Sequence, residues 1–137
     1  ETGTFSGWTR TGTGSVTTST PHSGTYAGQA GASTATHGDS SIVQTFTAPA
    51  GATKLTFWYK MTCPDSVTYD WATATLKDNT ASTTTTALAK TCATNSAYVQ
   101  VSVNIVAGRS YTLTLTSHDD NFASDASFTK FDDVVVS

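Results

Sequence analysis

The sequence predicts an all-β fold, an antiparallel β-sandwich of jelly-roll type with about 8–10 strands and one disulfide. Three observations carry this prediction. Only 12% of the 137 residues are charged, about half the usual share, and Thr and Ser fill the polar quota. Thr is β-branched and suits a half-buried pleated surface. Apolar and polar residues alternate with a period of two, and no segment keeps the i, i+3, i+4, i+7 spacing of an amphipathic helix. Turn-forming residues interrupt the alternating runs at intervals of about 8–12 residues.

Along the chain, the Ser/Thr/Gly-rich stretch Gly31–Ser40 reads as a surface loop and Ile42–Phe46 as a strand. Pro49-Ala50-Gly51-Ala52 turns the chain into Thr53–Met61, where Leu55, Phe57, Tyr59 and Met61 share one face and Thr56, Trp58 and Lys60 the other. Trp71–Leu76 is a strand that ends before Asp78-Asn79. In Ala97–Ile105, Val99, Val101, Val103 and Ile105 point one way. Ala107-Gly108 precedes the last long alternation, in which Tyr111, Leu113 and Leu115 interleave with Thr112, Thr114 and Thr116. Such half-polar strands belong to antiparallel sheets with one solvated face. Phe5, Phe46, Phe57, Tyr59, Tyr111 and Phe131 are the expected core aromatics, and Trp8 is expected to pack over an end of the sandwich.

The length suits one domain spanning residues 1–137, large enough to bury a core. A net charge of −3 and no Lys/Arg cluster leave nucleic-acid binding without an electrostatic basis. No apolar run approaches the ~20 residues of a membrane span. The chain starts at Glu1 without a leader, as expected of an excised or processed module, and a monomer is expected. Cys63 and Cys92 are too far apart for a metal-type CxxC and have no His cluster beside them. A disulfide is the expected reading, against two separate buried thiols, and it points to a secreted, extracellular protein.

The motifs at the two ends are more specific. Glu1 opens the chain, Gly7-Trp8 follows, then His22-Ser23-Gly24-Thr25-Tyr26-Ala27, and Phe131-Asp132-Asp133-Val134 comes near the end. With Gln44-Thr45-Phe46 and Leu55 to Lys60 between them, this order resembles the jelly-roll superfamily of carbohydrate-binding modules and MAM-like domains over nearly the whole chain. It is also similar to C-terminal accessory domains of secreted bacterial hydrolases, including peptidases. The resemblance implies a structural Ca²⁺ held by Glu1, by Asp132 and Asp133, and by backbone carbonyls of the loop at His22 and Ser23. Oxygen ligands of this kind suit Ca²⁺, and a cation would relieve a carboxylate in a poorly solvated strand. The alternative is an Asp pair solvated at a frayed strand edge.

Two further segments concentrate unusual chemistry: Asp65 to Trp71, containing Tyr69-Asp70-Trp71, and His118-Asp119-Asp120-Asn121 with Asp125 beyond. Three readings stay open. They form a ligand site with hydrogen-bonding groups beside an aromatic platform, or a further Ca²⁺ site, or a set of Asx turns and loop caps. Trp58 and Trp71 both lie on polar strand faces, where an aromatic ring can stack on a pyranose or be covered by a loop. The candidate ligand-binding residues are therefore Trp71, Tyr69, Asp70, His118, Asp119, Asp120, Asn121 and Trp58.

No enzyme is expected. The Asp pairs are sequence neighbours rather than carboxylates set across a cleft, and GxSxG, HExxH and phosphate-binding glycine loops are absent. The expected function is a non-catalytic carbohydrate-binding module that targets a secreted hydrolase, its parent catalytic domain in the same chain, to a polysaccharide or oligosaccharide. The alternative is a protein-interaction or substrate-recruiting accessory domain of a secreted peptidase.

Overall fold

The computed structural model describes residues 1–137. It contains ten strands and no helix: β1 (Thr9–Thr11), β2 (Gly14–Thr17), β3 (Ala27–Gly31), β4 (His37–Thr47), β5 (Lys54–Thr62), β6 (Trp71–Asp78), β7 (Thr83–Thr91), β8 (Val99–Asn104), β9 (Ser110–Asp120) and β10 (Phe128–Val136). They form two five-stranded sheets, ordered β1-β4-β9-β6-β7 and β2-β3-β10-β5-β8. Every pairing is antiparallel.

The pairings show how the chain rolls up. β3 pairs with β10, β4 with β9, β5 with β8 and β6 with β7. From β3 onward the chain is thus one long hairpin about the β6–β7 turn, folded over so that its strands fall alternately into the two sheets. This is a jelly roll. The roll brings the β3–β4, β5–β6, β7–β8 and β9–β10 loops to the same end of the sandwich.

Side-chain alternation decides what lies between the sheets. β5 buries Leu55, Phe57, Tyr59 and Met61, β6 buries Ala72, Ala74 and Leu76, and β9 buries Tyr111, Leu113 and Leu115. Phe57 meets Phe131 edge-on at 6.3 Å. Each large side chain removed from water contributes roughly 1.5–3 kcal/mol. Cys63 and Cys92 are bonded, with Cα atoms 5.4 Å apart. Cys63 follows β5 in one sheet and Cys92 follows β7 in the other, so the disulfide ties the sheets together at the loop end.

Several local expectations needed correction. The loop expected over Gly31–Ser40 is only residues 32–36: Gly31 belongs to β3, and β4 begins at His37 with Ser40 buried. β6 runs on to Asp78. Phe5 and Phe46 pack against the core but are only partly buried, as is Trp8. Val99 is exposed because it sits at the start of an edge strand. β7 had no clear signature: it is an edge strand of mostly exposed Thr, where one-sided burial writes no alternation.

Candidate functional site

The loop end gathers the acidic segments. Asp70 leads into β6, and Asp119 and Asp120 end β9. Asp70 is 0% exposed and Asp119 is 1% exposed, so both organise the loops from within instead of facing a ligand in solvent. Asp70 Oδ1 accepts the backbone N–H of Asp120 at 2.8 Å, and its Oδ2 accepts the Ser127 hydroxyl at 2.5 Å. Asp119 Oδ1 accepts the Ser127 N–H at 3.0 Å and Oδ2 the Thr36 N–H at 2.5 Å. Buried carboxylates require such donors. Burial pushes the Asp70 pKa up. The hydrogen bonds from Ser127 and Asp120 oppose that rise, and the charges of Asp119 and Asp120 add to it.

Asp65, Asp70, Asp120 and Asp125 each contribute a carboxylate oxygen to a group whose members lie within 4.8 Å of one another. Asp125 Oδ1 is buried and accepts no hydrogen bond, the one side-chain atom in the protein in that state. Desolvation raises the Asp125 pKa, and the charges of Asp65, Asp120 and Asp119 raise it further. Four oxygen donors without nitrogen or sulfur suit a hard divalent cation, and this group could hold a metal ion.

Beside this end, a row of side chains crosses the outer face of one sheet. Asp39 of β4 and Trp71 of β6 are the cross-strand neighbours of His118 on β9. His118 Nδ1 lies 2.7 Å from Asp39 Oδ1. The Trp71 and His118 rings stack at 3.9 Å with an interplanar angle of 1°. Lys90 of β7 places its Nζ 3.7 Å from the Trp71 ring centroid. β9 and β7 flank β6 on opposite sides, so the indole is approached from both neighbours and is half-buried.

Two exposed aromatic side chains belong to the same loop end. Tyr69 is 56% exposed and Phe122 60% exposed. They are the only exposed side chains among the three Trp, five Tyr and six Phe. Each adjoins one of the two segments joined by the Asp70–Asp120 contact. Asp120 and Asn121, just before Phe122 in the chain, are exposed, with Asn121 in the left-handed region at φ 71°. The structure therefore brings Tyr69, Asp70, Trp71, His118, Asp119, Asp120 and Asn121 to one place. Trp58 is not among them. It lies on β5 of the other sheet, with His22 stacked on it at 4.0 Å and Tyr98 edge-on to His22.

The chain-end carboxylates form a separate group beside His22. Asp132 Oδ2 accepts the N–H groups of His22 at 2.7 Å and Ser23 at 3.3 Å, and its Oδ1 accepts the Asp133 N–H. Asp133 takes Ser23 Oγ and His22 Nδ1, both at 2.6 Å, and these bonds hold its pKa down. Glu1 Oε2 accepts the Thr25 N–H at 2.8 Å. Backbone carbonyls were expected to face this group. The amides of His22 and Ser23 point at Asp132, and β10 is irregular between Asp132 and Val135, with Asp133 at φ 47°. Every oxygen of Asp132 and Asp133 is thus satisfied by a protein donor. Glu1, Asp132 and Asp133 rim a cavity of about 280 Å³ floored by Ile42, Leu115 and Phe131. The nearby Tyr98 phenol is pushed up to about 12, first by burial and then by the charges of Asp132 and Asp133.

No family model matches the chain, and neither does any curated protein. Solved structures do. The chain is similar to TmCBM61, solved in complex with β-1,4-galactotriose, at 16% identity and a TM-score of 0.71 over 99% of this chain and 91% of that one. It is also similar to the CBM22-1 xylan-binding domain of Xyn10C from Paenibacillus barcinonensis, at 14% identity and a TM-score of 0.59 over 95% and 84%. A third similar structure is the K2 cleaved adhesin domain of Lys-gingipain, at 14% identity and a TM-score of 0.62 over 96% and 90%. The likeness is to jelly-roll carbohydrate-binding modules and adhesin domains. At these identities it establishes a shared fold.

Sequence reasoning singled out the two acidic segments but gave Asp65 and Asp125 no role of their own, and it missed Phe122 and Lys90. The only signal for Asp65 and Asp125 was position: the first opens one of the two suspect segments and the second lies just beyond the other. Lys90 sits in the edge strand that had no signature.

Proposed function

We propose that this domain is a non-catalytic carbohydrate-binding module that holds a secreted hydrolase against a polysaccharide, acts as a single monomeric unit, and carries a structural calcium ion. One observation carries the reading: the only two exposed aromatic rings, Tyr69 and Phe122, both belong to the loop end, on the two segments that the Asp70–Asp120 hydrogen bond joins, with exposed Asp120 and Asn121 just before Phe122 in the chain. A pyranose presents an apolar face that stacks on such rings and hydroxyls that bond to the adjacent acceptors and amide. Trp71, with His118 and Lys90 against it, supports this surface from its edge. The disulfide fits an oxidising, extracellular setting. A similar fold solved with galactotriose and another described as a xylan-binding domain support the ligand class. Tethering a hydrolase to its substrate raises local concentration without new chemistry.

Isothermal titration with soluble β-1,4-galacto- and xylo-oligosaccharides tests the proposal. Affinity should be modest, with Kd between micromolar and millimolar, or about −4 to −8 kcal/mol. Tyr69→Ala and Phe122→Ala should each weaken binding at least tenfold while circular dichroism stays unchanged. Variants that remain folded and bind as tightly as the parent would move the site elsewhere, with His22, Trp58 and Tyr98 on the other sheet the next candidates. A second reading, an accessory domain recruiting substrate for a peptidase, is favoured by the likeness to the Lys-gingipain adhesin domain. Absence of binding to any glycan would turn attention to it.

A further inference from the structure

We infer that Asp65, Asp70, Asp120 and Asp125 form a Ca²⁺ site that clamps the β5–β6 and β9–β10 loops together. The group lies apart from the chain-end carboxylates, and the inference does not rest on the glycan reading. Two independent observations support it. The first is convergence: four carboxylates, from the β5–β6 loop and from the end of β9 with the loop after it, meet within 4.8 Å although Asp70 and Asp120 are 50 residues apart. Like charges at that distance repel, and no Lys or Arg forms a salt bridge with any of the four. The second is the orphaned atom. Asp125 Oδ1 is buried without a donor, whereas the oxygens of Asp70 and Asp119 around it are satisfied by named donors. A buried, unpaired carboxylate oxygen is costly, and a cation in the centre of the group removes the cost.

The donor set specifies the kind of ion. Every candidate ligand is a carboxylate oxygen, which excludes the thiolate and imidazole preferences of zinc and copper sites. Ca²⁺ accepts several carboxylates in irregular geometry, and Mg²⁺ instead keeps most of its water in a strict octahedron. The site also has a rigid base. Asp70 is fixed by Ser127 and by the Asp120 amide, and the Asp65 carbonyl lies 3.1 Å from Cys92 Sγ, against the disulfide. A cation there would lock the segments that carry Tyr69 and Phe122.

The test uses chelator-stripped domain titrated calorimetrically with CaCl₂, and separately with TbCl₃, whose luminescence is sensitised by nearby aromatic side chains such as Tyr69 and Trp71. The expected result is one saturable site that gives terbium emission and raises the melting temperature. Asp65→Asn and Asp125→Asn should each weaken Ca²⁺ at least tenfold and abolish the emission, with circular dichroism unchanged. Asp78→Asn, which removes an equal charge at the opposite end of β6, should bind within twofold of the parent. The inference is overturned if the stripped parent takes up no Ca²⁺ at millimolar concentration, or if both loop variants bind like the parent. It is equally overturned if Asp132→Asn alone loses the ion, which would place it at the chain ends.

Discussion

Reducing the Cys63–Cys92 bridge perturbs this fold in a way whose size can be worked out. The bond closes a separation of 29 residues. In the chain-entropy description, that closure removes about 12 cal/mol/K from the unfolded ensemble, or about 3.6 kcal/mol at 25 °C. The native state has little reason to relax when the bond opens. Cys63 is buried and its N–H donates to Thr94 Oγ1 at 3.2 Å. Its neighbour Met61 exchanges two hydrogen bonds with Asn95, at 2.9 and 3.0 Å. The strand ends therefore stay tied, and the loss falls on the unfolded side. For 137 residues, the unfolding entropy near 60 °C is about 0.29 kcal/mol/K, so the midpoint should fall by about 12 °C. Differential scanning calorimetry with and without a phosphine reductant measures this shift. Thiol titration under denaturing conditions should find no free thiol before reduction and two after it. A shift under about 3 °C in protein shown to carry two thiols would refute the entropic argument. Two thiols before reduction would refute the bridge itself.

Two other outcomes follow from the geometry. Trp71→Ala removes the stack on His118 and the Lys90 contact, and should lower stability by about 1–2 kcal/mol, seen as a midpoint shift of several degrees by calorimetry; a variant that melts with the parent would show that the stack contributes nothing. Asp78 has its pKa held down, first by the Ala81 backbone N–H and then by the Arg109 hydrogen bond. Its stabilisation is present above the unfolded value of about 3.9 and disappears as pH falls through the lower folded value. Asp78→Asn should therefore melt below the parent at pH 6, the gap should narrow as pH falls below about 3.9, and a gap that stays constant through that fall would contradict the assignment.

The alternating pattern by itself determined which side chains of the central strands face inward. Leu55, Phe57, Tyr59 and Met61 are buried together because a strand sends alternate residues to one face, a rule that needs only neighbouring positions. The disulfide was equally legible, since two lone cysteines in a Thr-rich chain leave few alternatives. The candidate site was legible only in part. Tyr69, Asp70 and Trp71 read as one suspicious cluster, yet Asp70 is wholly buried, Trp71 is covered by its cross-strand neighbours, and Tyr69 stands in solvent. Trp58 and Trp71 occupy equivalent positions in local alternation, but the roll of the chain puts them on different sheets. The long-range pairing of β6 with β9, rather than any local preference, sets His118 against Trp71 and Asp120 against Asp70. Register between strands some forty residues apart is fixed by burial of a whole face and by loop closure, neither of which is written in a short window. For the same reason Asp65 and Asp125, each unremarkable in its own loop, become ligands-in-waiting only where the tertiary fold makes them neighbours.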